Sequence, residues 1–481
     1  MRLRMCAGAT AVLAMVSAAY AQEDPRRPNP GSPESHKASK PSGPSLLQRR
    51  HGLSAQEAQE RQATLADFEQ QIAQVQNRLG DNLIATLIDH QPNLRLTLVV
   101  DNNITVQDVR SEFSPQVQRY LAVRKSKYTG SEIQSQQRQI LDLFIAQDIE
   151  AVVSYNYRTD KFDVRVDTER ALPELLALIP ASLRSDIKLE RGGMGLLQTG
   201  YQAGDGIWGG WALDNSGRNV CTAGFVLENT TDRTRHISTA GHCPSPISVY
   251  TNGHAVTFGA PRIDKNPEVA DTTSNGRTYD YRIYPTGQLN TGPWIWYLNN
   301  VSGTYQVMVA AGQYQTRSWA NVNPDLEQNG GYIRVVGVIK GGSAGGLNPT
   351  HPVGAERCKN GFRTGVTCGT ISTSSAAFSI QVAEGVYRTF YGVVEVTTQD
   401  YMAIGYGGDS GGPVFTYPTW NASAQSFDAS AAGVTVAASN QYRRPCITNY
   451  DSGCHIIYMP IDRINDHGPY NIVTTAGVVA P

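Results

Sequence analysis

An excess of charge of one sign is missing: 41 Lys and Arg stand against 42 Asp and Glu, a net charge of −1 over 481 residues. Without a basic or acidic block, no long-range field recruits nucleic acid or an anionic membrane, and neither partner is expected. Long apolar runs are also missing. The one near the N-terminus is too short and too weakly apolar for a bilayer span, so membrane insertion is not expected. No C-x-x-C occurs, and no cysteine lies between Cys6 and Cys221, which argues against a zinc site. No metal and no cofactor is expected.

What is present begins at the N-terminus. Arg2 and Arg4 precede an apolar stretch from Cys6 to Ala19, and Ala19-Tyr20-Ala21 offers small residues at the positions a signal peptidase reads. Residues 1–21 therefore read as a signal peptide, and the product as secreted, with a periplasmic destination left open. Cys6 leaves with that segment. The remaining cysteines, Cys221, Cys243, Cys358, Cys368, Cys446 and Cys454, are even in number, confined to the second half and readable as sequential pairs, as suits an oxidising compartment.

Composition divides the rest. Residues 22–50 are rich in Pro, Ser and charge and bury too little to order themselves, so they read as a flexible lead-in. Residues 51–195 read as α+β. Ser54 and Glu57 fit a capping box, followed by Leu65, Phe68, Ile72, Val75 and Leu79 at helical spacing. Leu94, Leu96, Leu98 and Val100 alternate as in a strand, and Ile133, Ile140, Leu143 and Phe144 mark a second helix. Two strands are expected at 151–157 and 162–167 and a further helix near 168–178. From about residue 196 to 481 Gly, Thr, Tyr and short β-like runs dominate, with frequent turn signals, so this part reads as an all-β sandwich or barrel with one helix near 461–465.

Three segments carry chemistry: Ser238 to Cys243 around His242, Tyr279 to Tyr284 around Asp280, and Gly407 to Pro413 around Ser410. A serine hydroxyl is a poor nucleophile unless a neutral imidazole takes its proton as it attacks. A buried carboxylate then holds the imidazole in the right tautomer and stabilises the cation that forms. The order His, Asp, Ser is one of the known orders of this constellation. The glycines around Ser410 allow a sharp turn and close approach of substrate. The N–H groups of Gly408 and Ser410 can point together at a developing oxyanion.

At these residues the chain resembles the chymotrypsin-like serine peptidases, and particularly the bacterial branch of streptogrisins and α-lytic protease. Thr-Ala-Gly-His-Cys before Gly-Asp-Ser-Gly-Gly-Pro carries the likeness, with Asp280-Tyr281 and the small loop from Cys358 to Cys368 in support. The resemblance covers residues 200–481 and, more loosely, the segment before them. It implies a double β-barrel (trypsin-like) catalytic part preceded by an α+β pro-region that assists folding and blocks the site until cut, somewhere between Arg191 and Gly206. It implies a triad of His242, Asp280 and Ser410. Asp271 competes for the acid, but lies in a turn-like run where Asp bonds its own backbone. It also implies the disulfides Cys221–Cys243 and Cys358–Cys368. Cys446–Cys454 is a departure, drawn locally because Tyr401 to Asp409 contains no cysteine.

The resemblance further implies that Lys359 partners Asp409, that Ile404 floors the specificity pocket, and that Val434 to Ala438 is the substrate-pairing strand. Val436, Ala437 and Ala438 bring methyl groups where the family has serine and glycines, so small-to-medium apolar residues are expected before the scissile bond. Val436 also removes a likely donor to Asp280. The aromatic-rich segment 293–329 is longer than compact members need and reads as core packing rather than a substrate grip. The expected partners are protein or peptide substrates and the chain's own pro-region, acting on a monomer. An inactive binding module on the same fold and an esterase using the same triad are the rival readings.

Overall fold

The computed structural model describes residues 46–479 apart from 169, 192–193, 196–206, 216–217, 252–253, 271, 273, 275–277, 298–303, 311–312, 319–330, 341–346, 363, 384, 398–403, 406–407 and 440–454. The signal-peptide reading and most of the lead-in, Asp271, Cys446 and Cys454 therefore lie outside the described residues, as does part of the segment 293–329.

The first long helix, Ala55–Leu79, starts where the capping box places it. Ser54 Oγ accepts from the Glu57 backbone N–H, and the Glu57 carboxylate accepts from the Ser54 N–H, so two otherwise orphaned donors are satisfied. Its buried stripe of Phe68, Ile72, Val75 and Leu79 lies on a three-stranded sheet of Leu83–Asp89, Arg95–Val100 and Leu121–Lys125. The first two strands pair antiparallel, and the second and third pair parallel. The helix Gly130–Ile145 is capped the same way by Thr129 and Glu132 and buries Ile133, Ile140, Leu141 and Phe144. The strands Glu150–Asn156 and Lys161–Asp167 form the expected hairpin, and the helix expected near 168–178 occupies Leu172–Leu178.

After this unit the chain is mostly strand. A six-stranded sheet carries Arg235–Thr239 and Tyr281–Pro285, and a four-stranded sheet carries Ala212–Asn215 and Arg218–Thr222. A larger sheet collects Glu356–Gly361, Gly365–Ala383, Val386–Thr397, Pro413–Thr416, Ser426–Ser439 and His455–Pro460. The expected C-terminal helix is a 3-10 helix at Ile461–His467. Trp211 and Trp296 pack with ring centroids 5.0 Å apart and are buried, so these described tryptophans belong to the core. No described helix is long and apolar enough to cross a membrane.

The N-terminal unit does not stand apart from this sheet. Val152, Val153 and Ser154 pair antiparallel with Phe378, Ala377 and Ala376, so its hairpin extends the large sheet. Further along, Met194–Gly195 pairs antiparallel with the end of Ser426–Ser439, with Gly195 opposite Ala438 and Met194 opposite Ser439. One apolar cluster runs through the junction, joining Phe144 and Val164 to Ile371, Ala377 and Val396. Gln137 reaches across it, donating to the Ser375 carbonyl at 3.0 Å.

A buried ionic group closes the junction. Arg165 from the N-terminal hairpin donates to Glu395, His455 stands 2.9 Å from the same carboxylate, and Ser372 donates to its other oxygen at 3.0 Å. Burial alone would raise the Glu395 pKa, but Arg165 and His455 beside it hold it well below the ordinary range. A carboxyl depressed in the folded state gives stability that is present above its unfolded pKa of about 4.3 and drains away as pH falls below it. Glu395→Gln strands Arg165, so it is expected to cost about 3–5 kcal/mol at pH 7 and somewhat less at pH 3, where the unfolded chain's carboxyl is already protonated. Denaturant unfolding at the two pH values checks this; equal midpoints for both proteins at pH 7 would contradict it.

Candidate active site

The six-stranded sheet delivers two parts of the site. Arg235–Thr239 ends three residues before His242, and Tyr281–Pro285 begins one residue after Asp280. The two strands pair with Thr239 opposite Arg282, which brings Asp280 beneath His242. Gly241 makes the approach possible, because a Cβ there would overlap the Lys265 carbonyl and crowd the Tyr281 N–H.

The Asp280 carboxylate is held at both oxygens by one residue. His242 N–H donates to Oδ1 at 2.8 Å, and His242 Nδ1 lies 2.7 Å from Oδ2. An ionised carboxylate only accepts, so Nδ1 carries the proton of the neutral ring and Nε2 is left as an acceptor. Ser410 Oγ lies 2.8 Å from Nε2, so its hydroxyl donates to the imidazole. His242, Asp280 and Ser410 are all buried. The arrangement can take a proton from Ser410 and hold the resulting cation.

Ser410 sits in a turn fixed from several sides. Gly408 has φ +105° and Gly411 φ +85°, left-handed conformations that favour glycine. At Gly411 a Cβ would also overlap the Thr222 carbonyl and the Thr239 hydroxyl. Thr222 N–H donates to the Ser410 carbonyl at 2.7 Å, and its hydroxyl donates to the Gly408 carbonyl at 2.6 Å. Thr239 Oγ1 donates to the Thr222 carbonyl at 2.9 Å. Thr222 thus ties the nucleophile turn to the strand that leads to His242. It adjoins Cys221, which is bonded to Cys243.

Behind the turn lies a buried ion pair. Lys359 Nζ is 2.8 Å from Asp409 Oδ2, and both side chains are fully buried. Burial lowers the Lys359 pKa, and the Asp409 carboxylate opposes that shift. Thr364 also meets the Asp409 carboxylate, its N–H reaching Oδ1 at 3.2 Å and its hydroxyl reaching Oδ2 at 2.7 Å. Lys359 and Thr364 belong to the loop that the Cys358–Cys368 disulfide closes. Gly361 leaves room for the carboxylate that a Cβ would displace. Removing one partner of such a pair leaves an uncompensated buried charge.

The residues expected to line a pocket separate into two groups. Ile404 and Ala438 belong to one apolar cluster, with Val396 and Ile456. Val436 and Ala437 belong to another, with Val434, Ile457 and Met459. Residues 434–438 are the end of the long strand Ser426–Ser439, which passes directly beside the nucleophile turn: Gly411 N–H donates to the Thr435 carbonyl at 2.8 Å. Val436 has no side-chain donor, and the described hydrogen bonds to the Asp280 carboxylate both come from His242.

Sequence reasoning missed Thr222 and Thr364, whose hydroxyls hold the turn. Threonine is common in this half of the chain, and only the approach of segments distant in sequence singles these two out. Among the described residues no group of three or more His, Cys, Asp or Glu could hold a metal ion.

No family model matches the chain, and no curated protein matches it. Solved structures give faint likenesses. A glutamic-acid-specific serine protease is 18% identical with a TM-score of 0.31, covering 55% of this chain and all of its own. An α-lytic protease homologue is 17% identical with a TM-score of 0.28, covering 54% of this chain and 94% of its own. A protease from M. tuberculosis in its active form is 10% identical with a TM-score of 0.23, covering 68% of this chain and 84% of its own. All three neighbours are proteases, at likenesses too faint to assign a role to any residue of this chain.

Lys359→Met is expected to lower stability by about 3–5 kcal/mol, and adding Asp409→Asn to recover part of it. Unfolding of the four members of this double-mutant cycle by denaturant measures the coupling; additive losses would show that the pair is not the clamp described.

Proposed function

We propose that the chain is a secreted serine endopeptidase that cleaves peptide bonds through His242, Asp280 and Ser410 and an acyl-enzyme. The observation that carries this reading is the His242 ring standing 2.7 Å from Asp280 Oδ2 and 2.8 Å from Ser410 Oγ, with all three residues buried. Ser410 Oγ attacks the scissile carbonyl as its proton passes to His242 Nε2. The imidazolium is stabilised by Asp280 and returns the proton to the leaving amine; water then repeats the sequence on the ester. The N–H groups of Gly408 and Ser410 serve as the oxyanion hole, each worth about 3–4 kcal/mol to the transition state in comparable sites. The architecture we infer is two β-barrels, with the His–Asp half and the serine half meeting at Thr222. Two disulfides suit an exported protein.

The N-terminal unit is in this reading a pro-region that templates the catalytic part and fills its cleft. Its hairpin supplies a ready-made edge for Ala376 to Phe378, which favours a sheet whose non-local pairings are otherwise slow to form. Met194–Gly195 occupies the substrate-pairing strand. Gly195 stands opposite Ala438, and Leu197 follows it by two residues in the sequence, so we infer that Leu197 is the residue before the self-cleaved bond. Self-cleavage then falls between Leu197 and Gln198. Leucine fits the apolar preference expected from Val436, Ala437, Ala438 and Ile404.

The secreted product is expected to mature with Gln198 at its new N-terminus and to hydrolyse casein, whereas Ser410→Ala stays full length and inert. Intact mass, terminal sequencing and a casein assay check both. Equal processing of the two proteins would assign the cut to another protease. Two uncut, inactive proteins would favour a binding module, and turnover of short-chain esters without casein an esterase. Residues 198–481 expressed alone are expected to give little activity and to regain some when 22–197 is supplied in trans; full activity without it would contradict the templating role.

A further inference from the structure

The carboxylate beside His242 stands on a stretch of backbone that lies outside any strand. Thr278, Tyr279 and Asp280 precede the strand Tyr281–Pro285, and all three are buried. Buried backbone that is not part of a sheet needs partners from elsewhere. Here they come from the 3-10 helix Ile461–His467 and from the strand Val386–Thr397, both in the half of the chain that carries Ser410.

Arg463 makes the central attachment, and its side chain is buried. Nη1 donates to the Thr278 and Tyr391 carbonyls, each at 3.0 Å, and Nη2 donates to the Gly392 carbonyl. The planar guanidinium thus ties the residue two before Asp280 to the strand Val386–Thr397. Thr278 Oγ1 accepts from the Tyr391 N–H and closes the same junction. The helix also grips the residues on either side of Asp280. The Tyr279 hydroxyl donates to Asp466 Oδ2 at 2.6 Å, and the Tyr281 hydroxyl lies 3.2 Å from the Arg463 carbonyl and 2.8 Å from His467 Nδ1. Asp280 N–H itself meets Met459 Sδ at 3.5 Å, in the strand that leads into the helix.

We propose that Arg463 is a positioning residue of the triad, fixing the backbone of Asp280 so that its carboxylate meets both donors of His242. The inference rests on the peptidase reading above. The carboxylate has to match two donors on one residue, the His242 N–H at 2.8 Å and Nδ1 at 2.7 Å. Both belong to the same half of the chain as Asp280, so they do not by themselves fix where the pair stands relative to Ser410. Arg463 supplies that link. Its helix follows the strand His455–Pro460, which pairs with Ser426–Ser439, and the Thr435 carbonyl of that strand accepts from Gly411 in the nucleophile turn. A carboxylate that drifts leaves the imidazole in place but stabilises the imidazolium less. Loss of Arg463 therefore acts on proton transfer and on where the histidine titrates, and leaves substrate binding alone.

The test compares matured wild type, Arg463→Gln and Arg463→Lys on one fluorogenic peptide ending in leucine, with active sites counted by a fluorophosphonate. Arg463→Gln is expected to lower kcat per active site by roughly 10–100-fold, with KM kept within about twofold. Its acid limb of kcat/KM is expected to move about half a unit to lower pH, because an imidazolium held less well gives up its proton sooner. Arg463→Lys keeps the charge without the planar fork and is expected to fall between. A loss confined to the number of active sites, with kcat per site and the acid limb unmoved, would make Arg463 merely structural and overturn the assignment alone. If Arg463→Gln does not fold, the acid limb of Arg463→Lys decides: a move to lower pH supports the assignment and an unmoved limb overturns it. Wild type that neither cleaves the peptide nor takes up the fluorophosphonate overturns the peptidase reading and this inference with it.

Discussion

The molecule is organised around the difficulty of holding a carboxylate, an imidazole and a hydroxyl together out of water. Asp280, His242 and Ser410 are buried, so each polar atom needs a partner where one sheet meets another. His242 satisfies Asp280 twice, through its backbone N–H and through Nδ1, which fixes the ring and leaves Nε2 for Ser410. The geometry therefore depends on the register between Arg235–Thr239 and Tyr281–Pro285, and a slip of one residue would turn Asp280 away from the ring.

A second buried charge pair does for the serine what Asp280 does for the histidine. Lys359 and Thr364 hold Asp409 from behind, and Thr222 holds the Gly408 and Ser410 carbonyls from the side. The hydroxyl is thereby aimed by its neighbours in sequence rather than by its own bonds. Both disulfides among the described residues flank this arrangement: Cys221–Cys243 joins the strand of Thr222 to the histidine segment, and Cys358–Cys368 closes the loop of Lys359. The N-terminal unit adds a third ionic contact, Arg165 with Glu395 and His455, at its junction with the large sheet. Strand pairing is continuous across that junction, from the hairpin at Val152–Ser154 and again at Met194–Gly195.

Much of this was legible in the sequence because the signals are local. The capping boxes, the helical stripe from Phe68 to Leu79 and the hairpin around Arg158 each declare themselves within a few residues. The glycine-rich setting of Ser410 and the Cys358–Cys368 loop with Lys359 are local too, so the family resemblance they carry could name the partner of Asp409. What stayed hidden depends on register between distant strands. Thr222 is one threonine among many until its strand lies against the serine turn, and Gly195 is an ordinary glycine until it pairs with Ala438. The strands Leu83–Asp89 and Leu121–Lys125 escaped notice. Leu83–Asp89 is buried along nearly its whole length, so it shows no alternation. Leu121–Lys125 is too short to show a period, and it follows a four-residue helix.

The central claim is that His242 makes Ser410 a nucleophile. Reaction of the matured protein with a fluorophosphonate, followed by peptide mass mapping, tests it most directly. The account predicts a single adduct on Ser410, lost in Ser410→Ala and strongly slowed in His242→Ala. An unmodified Ser410 in folded protein, or modification at an equal rate without His242, would contradict it.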